Sequence, residues 1–145
     1  MKYRLITESQ EIEQLTEEIS QSVGNIYSNI DYTYIQRIKE QCTIKYGISL
    51  DIDLSEEGCM ETALNTIKIH VSLADVQAVI VHSRGNGEEP IETNDRIVHF
   101  ISSLRQLVID NNPDRYVEEA STLMISESVP LGTIDMNILF AFKKQ

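Results

Sequence analysis

The chain has 145 residues, 41% of them hydrophobic, which is long enough for one domain with a real core and too short for two. Its net charge of −11, from 23 acids against 12 Lys and Arg, argues against direct nucleic-acid binding, because sequence-independent binding relies on basic side chains neutralising phosphates. No apolar run approaches the roughly 20 residues that span a bilayer, and MKYRLITESQ has no signal-peptide core, so residues 1–145 read as a single soluble, intracellular, cytoplasmic domain with no membrane contact.

Residues 1–6 suit either a short strand or a lead-in to the first helix. From Thr7, with Gln10 completing a capping box, Ile12, Leu15, Ile19, Val23 and Ile26 recur at three- and four-residue spacing, the buried stripe of an amphipathic helix. Gly24-Asn25 ends or bends it, and Asp31 opens a second helix with stripe Tyr34, Ile35, Ile38 and Cys42. The period then drops to two. Ile44, Tyr46, Ile48, Leu50, Ile52 and Leu54 alternate with mostly polar residues, as in a half-buried strand, and SEEG at 55–58 supplies a turn. Alternation resumes in TALNTIKIHVSL, with Ile67, Ile69, Val71 and Leu73 on one side. Residues 75–83 are again β-prone, so 64–83 is expected to form one bent strand or a hairpin. After the loop HSRGNGEEPIETNDR, Ile97, Phe100, Ile101, Leu104, Leu107 and Val108 mark a helix that NNPD stops. A weaker strand follows from about Tyr116 to Glu127, then a turn at VPLG, residues 129–132. In the last strand Ile134, Met136, Ile138, Phe140 and Phe142 face inward, and Thr133, Asp135, Asn137 and Ala141 face out. The stripes are buried most simply in an α+β fold: a mainly antiparallel sheet with the N-terminal helices and one central helix packed on a face.

Candidate chemistry is sparse. His70 and His82 fall on predicted strands and His99 on a helix surface. IHVSL, residues 69–73, resembles the apolar-His-x-Ser-apolar element of the two-histidine phosphoesterases, which implies His70 as one of two acid/base residues on a phosphodiester, with His82 as the available second. No second copy of that element is present; His82 is followed by Ser83-Arg84. Arg84, Gly85 and Gly87 are the candidate anion-binding residues of the glycine loop. Against this, no Lys follows, and Glu88, Glu89 and Glu92 crowd the place a phosphate would take. Pro90 and these acids suit a helix start. Tyr32, Tyr34 and Arg37 at the helix junction form a candidate partner contact, since Tyr and Arg favour interface cores. Cys42 and Cys59 lack metal or disulfide spacing. Asp51 and Asp53 share an outward strand side without further ligands, so no metal and no cofactor is expected.

With no active site evident and several strands left at sheet edges, the leading expectation is a non-enzymatic interaction or assembly protein that forms homo-oligomers. The run TIKIHVSLADVQAVIVHS, the loop, the helix NDRIVHFISSLRQLV and the closing TIDMNILFAFKK resemble in order and length the phage tail-terminator and tail-completion proteins, which implies ring assembly at a tail tube. The alternative is a small acidic binding module, such as an inhibitor, immunity protein or secretion chaperone, masking a basic partner through Glu11, Glu13, Glu17 and Glu18. The third is a phosphoesterase-like enzyme using His70 and His82.

Overall fold

The computed structural model describes residues 1–21 and 32–144, with side chains described from residue 35 in the second helix. The order is β1 (Lys2–Ile6), α1 (Ser9–Gln21), α2 (Tyr32–Gln41), β2 (Cys42–Asp53), α3 (Cys59–His70), β3 (Val76–Gly85), α4 (Ile91–Asn111), β4 (Glu118–Ile125) and β5 (Thr133–Lys143). The strands form one sheet in the order β1-β2-β5-β3-β4. Neighbours are antiparallel except β3 and β4, which run parallel and are joined through α4, as a parallel pair requires. The protein is therefore α+β with a mostly antiparallel sheet. The expected helix junction at Gly24-Asn25 and the Asp31 cap lie outside the described residues.

The alternating apolar residues of the strands build the larger core. Ile48, Leu50 and Ile52 of β2, Val79 and Val81 of β3, and Ile134, Met136, Ile138 and Phe140 of β5 face α3 and α4. From α4, Ile97, Phe100, Ile101, Leu104 and Val108 pack down on them at helical spacing. The opposite face is also covered. Ile19 of α1 and Ile35 and Ile38 of α2 close over Ala78, Ile80, Ala120, Leu139 and Ala141. Leu139 through Phe142 are consequently buried on consecutive positions, as in any strand covered on both faces. A turn forms one residue later than the 129–132 the sequence predicts: Thr133 N–H donates to the Pro130 carbonyl, so the turn spans 130–133, with Gly132 at φ 87°, a conformation that costs glycine little.

One expectation is corrected. Residues 59–70 form helix α3, which takes in 64–70 of the stretch 64–83 read as one bent strand or a hairpin, and the strand begins only at Val76 and runs to Gly85. Cys59, Met60, Ala63 and Ile67 are buried at spacings of one, three and four, whereas Ile69 is 75% exposed. Ile67 and Ile69 mimicked alternation, but the helical stripe begins eight residues earlier, on side chains of lower hydrophobicity. Val71 and Leu73 are buried as the chain leaves the helix. Asn112 then fixes the return into β3. Its Nδ2 donates to the Leu73 and Val108 carbonyls, and its Oδ1 accepts from the N–H of Asp75, a residue held at φ 68°.

The two isoleucines of α3 give a direct check. Ile69→Asp is expected to change stability in urea denaturation by no more than about 0.5 kcal/mol, while Ile67→Asp, which buries an unpaired charge, costs on the order of 4 kcal/mol.

Candidate functional site

On the face covered by α1 and α2, the apolar floor gives way to two polar rows that cross the sheet. Strand register aligns Arg4, Ser49, Asn137, His82 and Thr122 in one row, and Lys2, Asp51, Asp135, Arg84 and Met124 in the next. Helix α1 lies against these rows. Arg4 Nη1 donates to Glu11 Oε1 at 2.7 Å, and Glu18 Oε1 stands 3.9 Å from His82 Nε2 and 4.0 Å from Arg84 Nη1.

His82 is fully buried. Its Nδ1 is hydrogen-bonded to Thr122 Oγ1 at 2.5 Å, and among the described residues Nε2 has no hydrogen-bond partner. With a carboxylate on the Nε2 side, electrostatics favour the tautomer in which Nε2 carries the proton and the Thr122 hydroxyl donates to Nδ1. Burial pushes the His82 pKa below the ordinary histidine value; Glu18 opposes that shift and Arg84 adds to it. Asp135 is moved upward, by burial first and then by Asp51 directly across the ladder, with Arg84 pulling the other way. Arg84 is thus placed among Glu18, Asp135 and Ser128, whose Oγ accepts from Nη2 at 3.4 Å.

A cleft of about 220 Å³ opens where β3 and β4 end, the end at which open α/β sheets commonly hold ligands. Gly85, Asn86, Gly87 and Glu89 of the loop, Thr93 and Ile97 of α4, Leu123 to Ile125 of β4, and Ile134 line it. A Cβ on Gly87 would come within 3.0 Å of Ile125 Cγ2, so a larger residue there would crowd the wall. The loop is held from inside. Asn86 Nδ2 donates to the Val129 carbonyl while its Oδ1 accepts from the N–H of Glu88, and the Glu89 carboxylate accepts from the N–H of Gly132 and the Thr93 hydroxyl.

The residues singled out in the sequence are dispersed. His70, an exposed residue ending α3 rather than lying on a strand, stacks on Tyr3 with ring centroids 4.6 Å apart, on the α3/α4 side. His82 lies on the α1/α2 side, so the sheet separates the two imidazoles. Arg84, Gly85 and Gly87 do come together at one end of β3, with Arg84 turned to Glu18 and the glycines to the cleft. Arg37 Nη2 reaches Glu118 Oε2 at 3.2 Å and ties α2 to β4; the Tyr32 and Tyr34 side chains lie outside the described residues. His99 is exposed. Cys42 and Cys59 are buried free thiols; burial and then Glu118 raise the Cys42 pKa, and the Cys59 sulfur accepts from Arg96 Nη2 at 2.9 Å. Asp53 holds its turn by accepting from the Ser55 N–H and hydroxyl, which lowers its pKa. Among the described residues no group of three or more His, Cys, Asp and Glu is placed to hold a metal ion. Thr122, Asp135 and Asn137 were missed in the sequence as site residues, and Glu18 was read there only as an acid facing a basic partner. The available signal was His82 and Arg84 sharing a strand face with Ala78 and Ile80, a face that turns from apolar to polar along β3.

No family model matches the chain, and no curated protein matches it. Among solved structures it is similar to a mutant FtsZ of M. jannaschii, with 15% identity, 66% of this chain and 26% of that chain covered, and a TM-score of 0.41. It is similar also to CetZ2 from Haloferax volcanii in a GTPγS-bound protofilament, at 14% identity, 81% and 35% coverage and TM-score 0.43. A third is the HypE–HypF complex, at 11% identity, 92% and 42% coverage and TM-score 0.40. The chain spans between about a quarter and two fifths of the length of these solved chains.

The buried imidazole makes stability depend on pH with a defined sign. The folded pKa of His82 lies below its unfolded value of about 6.5, so its contribution is intact above that pH and is lost as pH falls toward the depressed folded value, at up to about 1.4 kcal/mol per pH unit. Urea denaturation between pH 7.5 and 5 is expected to show wild-type stability declining relative to His82→Gln; parallel curves would contradict the assignment.

Proposed function

We propose that the protein is a non-enzymatic assembly protein that forms homo-oligomers through the open edge of its sheet. The observation that carries this reading is β1. Among the described residues it ends the sheet, paired only on its β2 side, and Lys2 to Leu5 are all exposed. Two of those side chains are apolar, Tyr3 at 45% and Leu5 at 43% exposure, next to a row of backbone groups that another strand can use. An uncovered edge flanked by apolar residues is a template for strand addition, and a second copy of the same chain is the partner always at hand.

Two competing readings lose support. The sheet between His70 and His82 prevents one phosphate from touching both, as the phosphoesterase reading requires. The tail-terminator resemblance rested partly on the long central β run TIKIHVSLADVQAVIVHS, whose first five residues belong to α3 instead. What remains of it is ring closure by edge pairing, one form that the oligomer could take.

Light scattering over a range of concentrations tests the proposal. Wild type is expected to show a mass above that of the monomer, and Leu5→Lys, which places a charge on the edge, is expected to shift it to monomer without loss of the folded spectrum. Because each copy carries −11, moderate salt should strengthen the association. A strict monomer at every concentration overturns the proposal.

A further inference from the structure

We propose that the cleft at the end of β3 and β4 is a docking site for a basic peptide segment of a partner protein, with one large apolar side chain of that segment filling the cleft.

Apart from the exposed Asn94, the polar side chains that shape the cleft are already occupied. Both oxygens of Glu89, the Asn86 amide and the Thr93 hydroxyl are spent holding the loop to its neighbours. Recognition therefore falls to the apolar walls, Ile97, Leu123, Ile125 and Ile134. Two of the lining residues are themselves open to solvent, Ile91 at 78% and Ile125 at 40% exposure, and Leu131, 59% exposed, precedes Gly132, whose N–H donates to the lining residue Glu89. A cleft of about 220 Å³ has room for one aromatic or long aliphatic side chain and is smaller than the roughly 300–1,000 Å³ of sites that enclose a drug-sized molecule. A single anchor side chain set in a wider apolar rim is how protein segments are commonly held.

Charge selects the segment. Glu88 and Glu92 are exposed beside lining residues, and Glu127 is exposed just past Ile125. The nearby Arg84 is engaged by Glu18 and Ser128. The rim therefore favours Lys or Arg on either side of the anchor. A second copy of this chain is a poor occupant, since each copy brings a net charge of −11 to an already acidic rim. The site also lies toward the opposite edge of the sheet from β1, so docking and edge pairing do not compete.

The test uses the full chain, labelled with ¹⁵N, and three peptides: acetyl-Lys-Lys-Phe-Lys-Lys-amide, its central-Ala analogue, and acetyl-Glu-Glu-Phe-Glu-Glu-amide. The Phe peptide is expected to shift amides within 85–97, 123–127 and 131–134, the Ala peptide to bind at least tenfold more weakly, and the acidic peptide to leave the spectrum unchanged. Ile91→Asp, at an exposed position, and the double reversal Glu88→Lys with Glu92→Lys are each expected to weaken the Phe peptide at least fivefold with the fold intact. Equal binding of the Phe and Ala peptides, shifts centred elsewhere, or no shift at millimolar peptide overturns the proposal. So does perturbation of the same amides on raising protein concentration alone, which would make a second copy the occupant.

Discussion

Strand β5 is hydrogen-bonded to β2 on one side and β3 on the other and is covered by helices on both faces. Its alternate side chains belong to different cores: Ile138 and Phe140 to the one under α3 and α4, Leu139 and Ala141 to the one under α1 and α2. Every other element is placed by reference to it. The edge strand β1 is two positions away on one side, the parallel pair ends beside it on the other, and the polar rows cross it at Asn137 and Asp135. The site is thus a consequence of where β5 stops being apolar on its second face.

That second face explains how much could be read from the chain. The inward set of β5, the alternation of β2 from Tyr46 to Ile52 and the stripe of α4 follow from period alone and occur where the pattern predicts, whereas an irregularity between Ile44 and Tyr46 turns Ile44 to the other core. A strand buried on both sides gives no clean outward set. Ala141 reads as solvent-facing and is buried, since alternation identifies one face and says nothing of what covers the other. Helix α3 was hidden by an accident of spacing, Ile67 and Ile69 falling two apart where the true stripe needed Ala63 and Cys59.

The site was legible in parts. Arg84 and the two glycines were visible as an unusual cluster at a strand end, and they do meet there. What they meet was not visible. Glu18 comes from 66 residues earlier by numbering, Asp135 enters through strand register, and the cleft is closed by Ile125 and Ile134 from two other elements. Local composition showed acids where a phosphate would need cations, which matches a loop that uses its own carboxylate, Glu89, to hold the VPLG turn. Of the acids expected to face a basic partner, Glu11 and Glu18 are turned to Arg4, His82 and Arg84.

The position of β5 also has a meaning in time. It is the last of the five strands to leave the ribosome, yet it stands between β2 and β3. Until it emerges, the nascent chain can assemble only two unconnected pairs, β1 with β2 and β3 with β4, each with an inner edge waiting for the same strand. During synthesis those two edges are the surfaces most open to pairing with the wrong strand, and the arrival of residues 133–143 removes both at once.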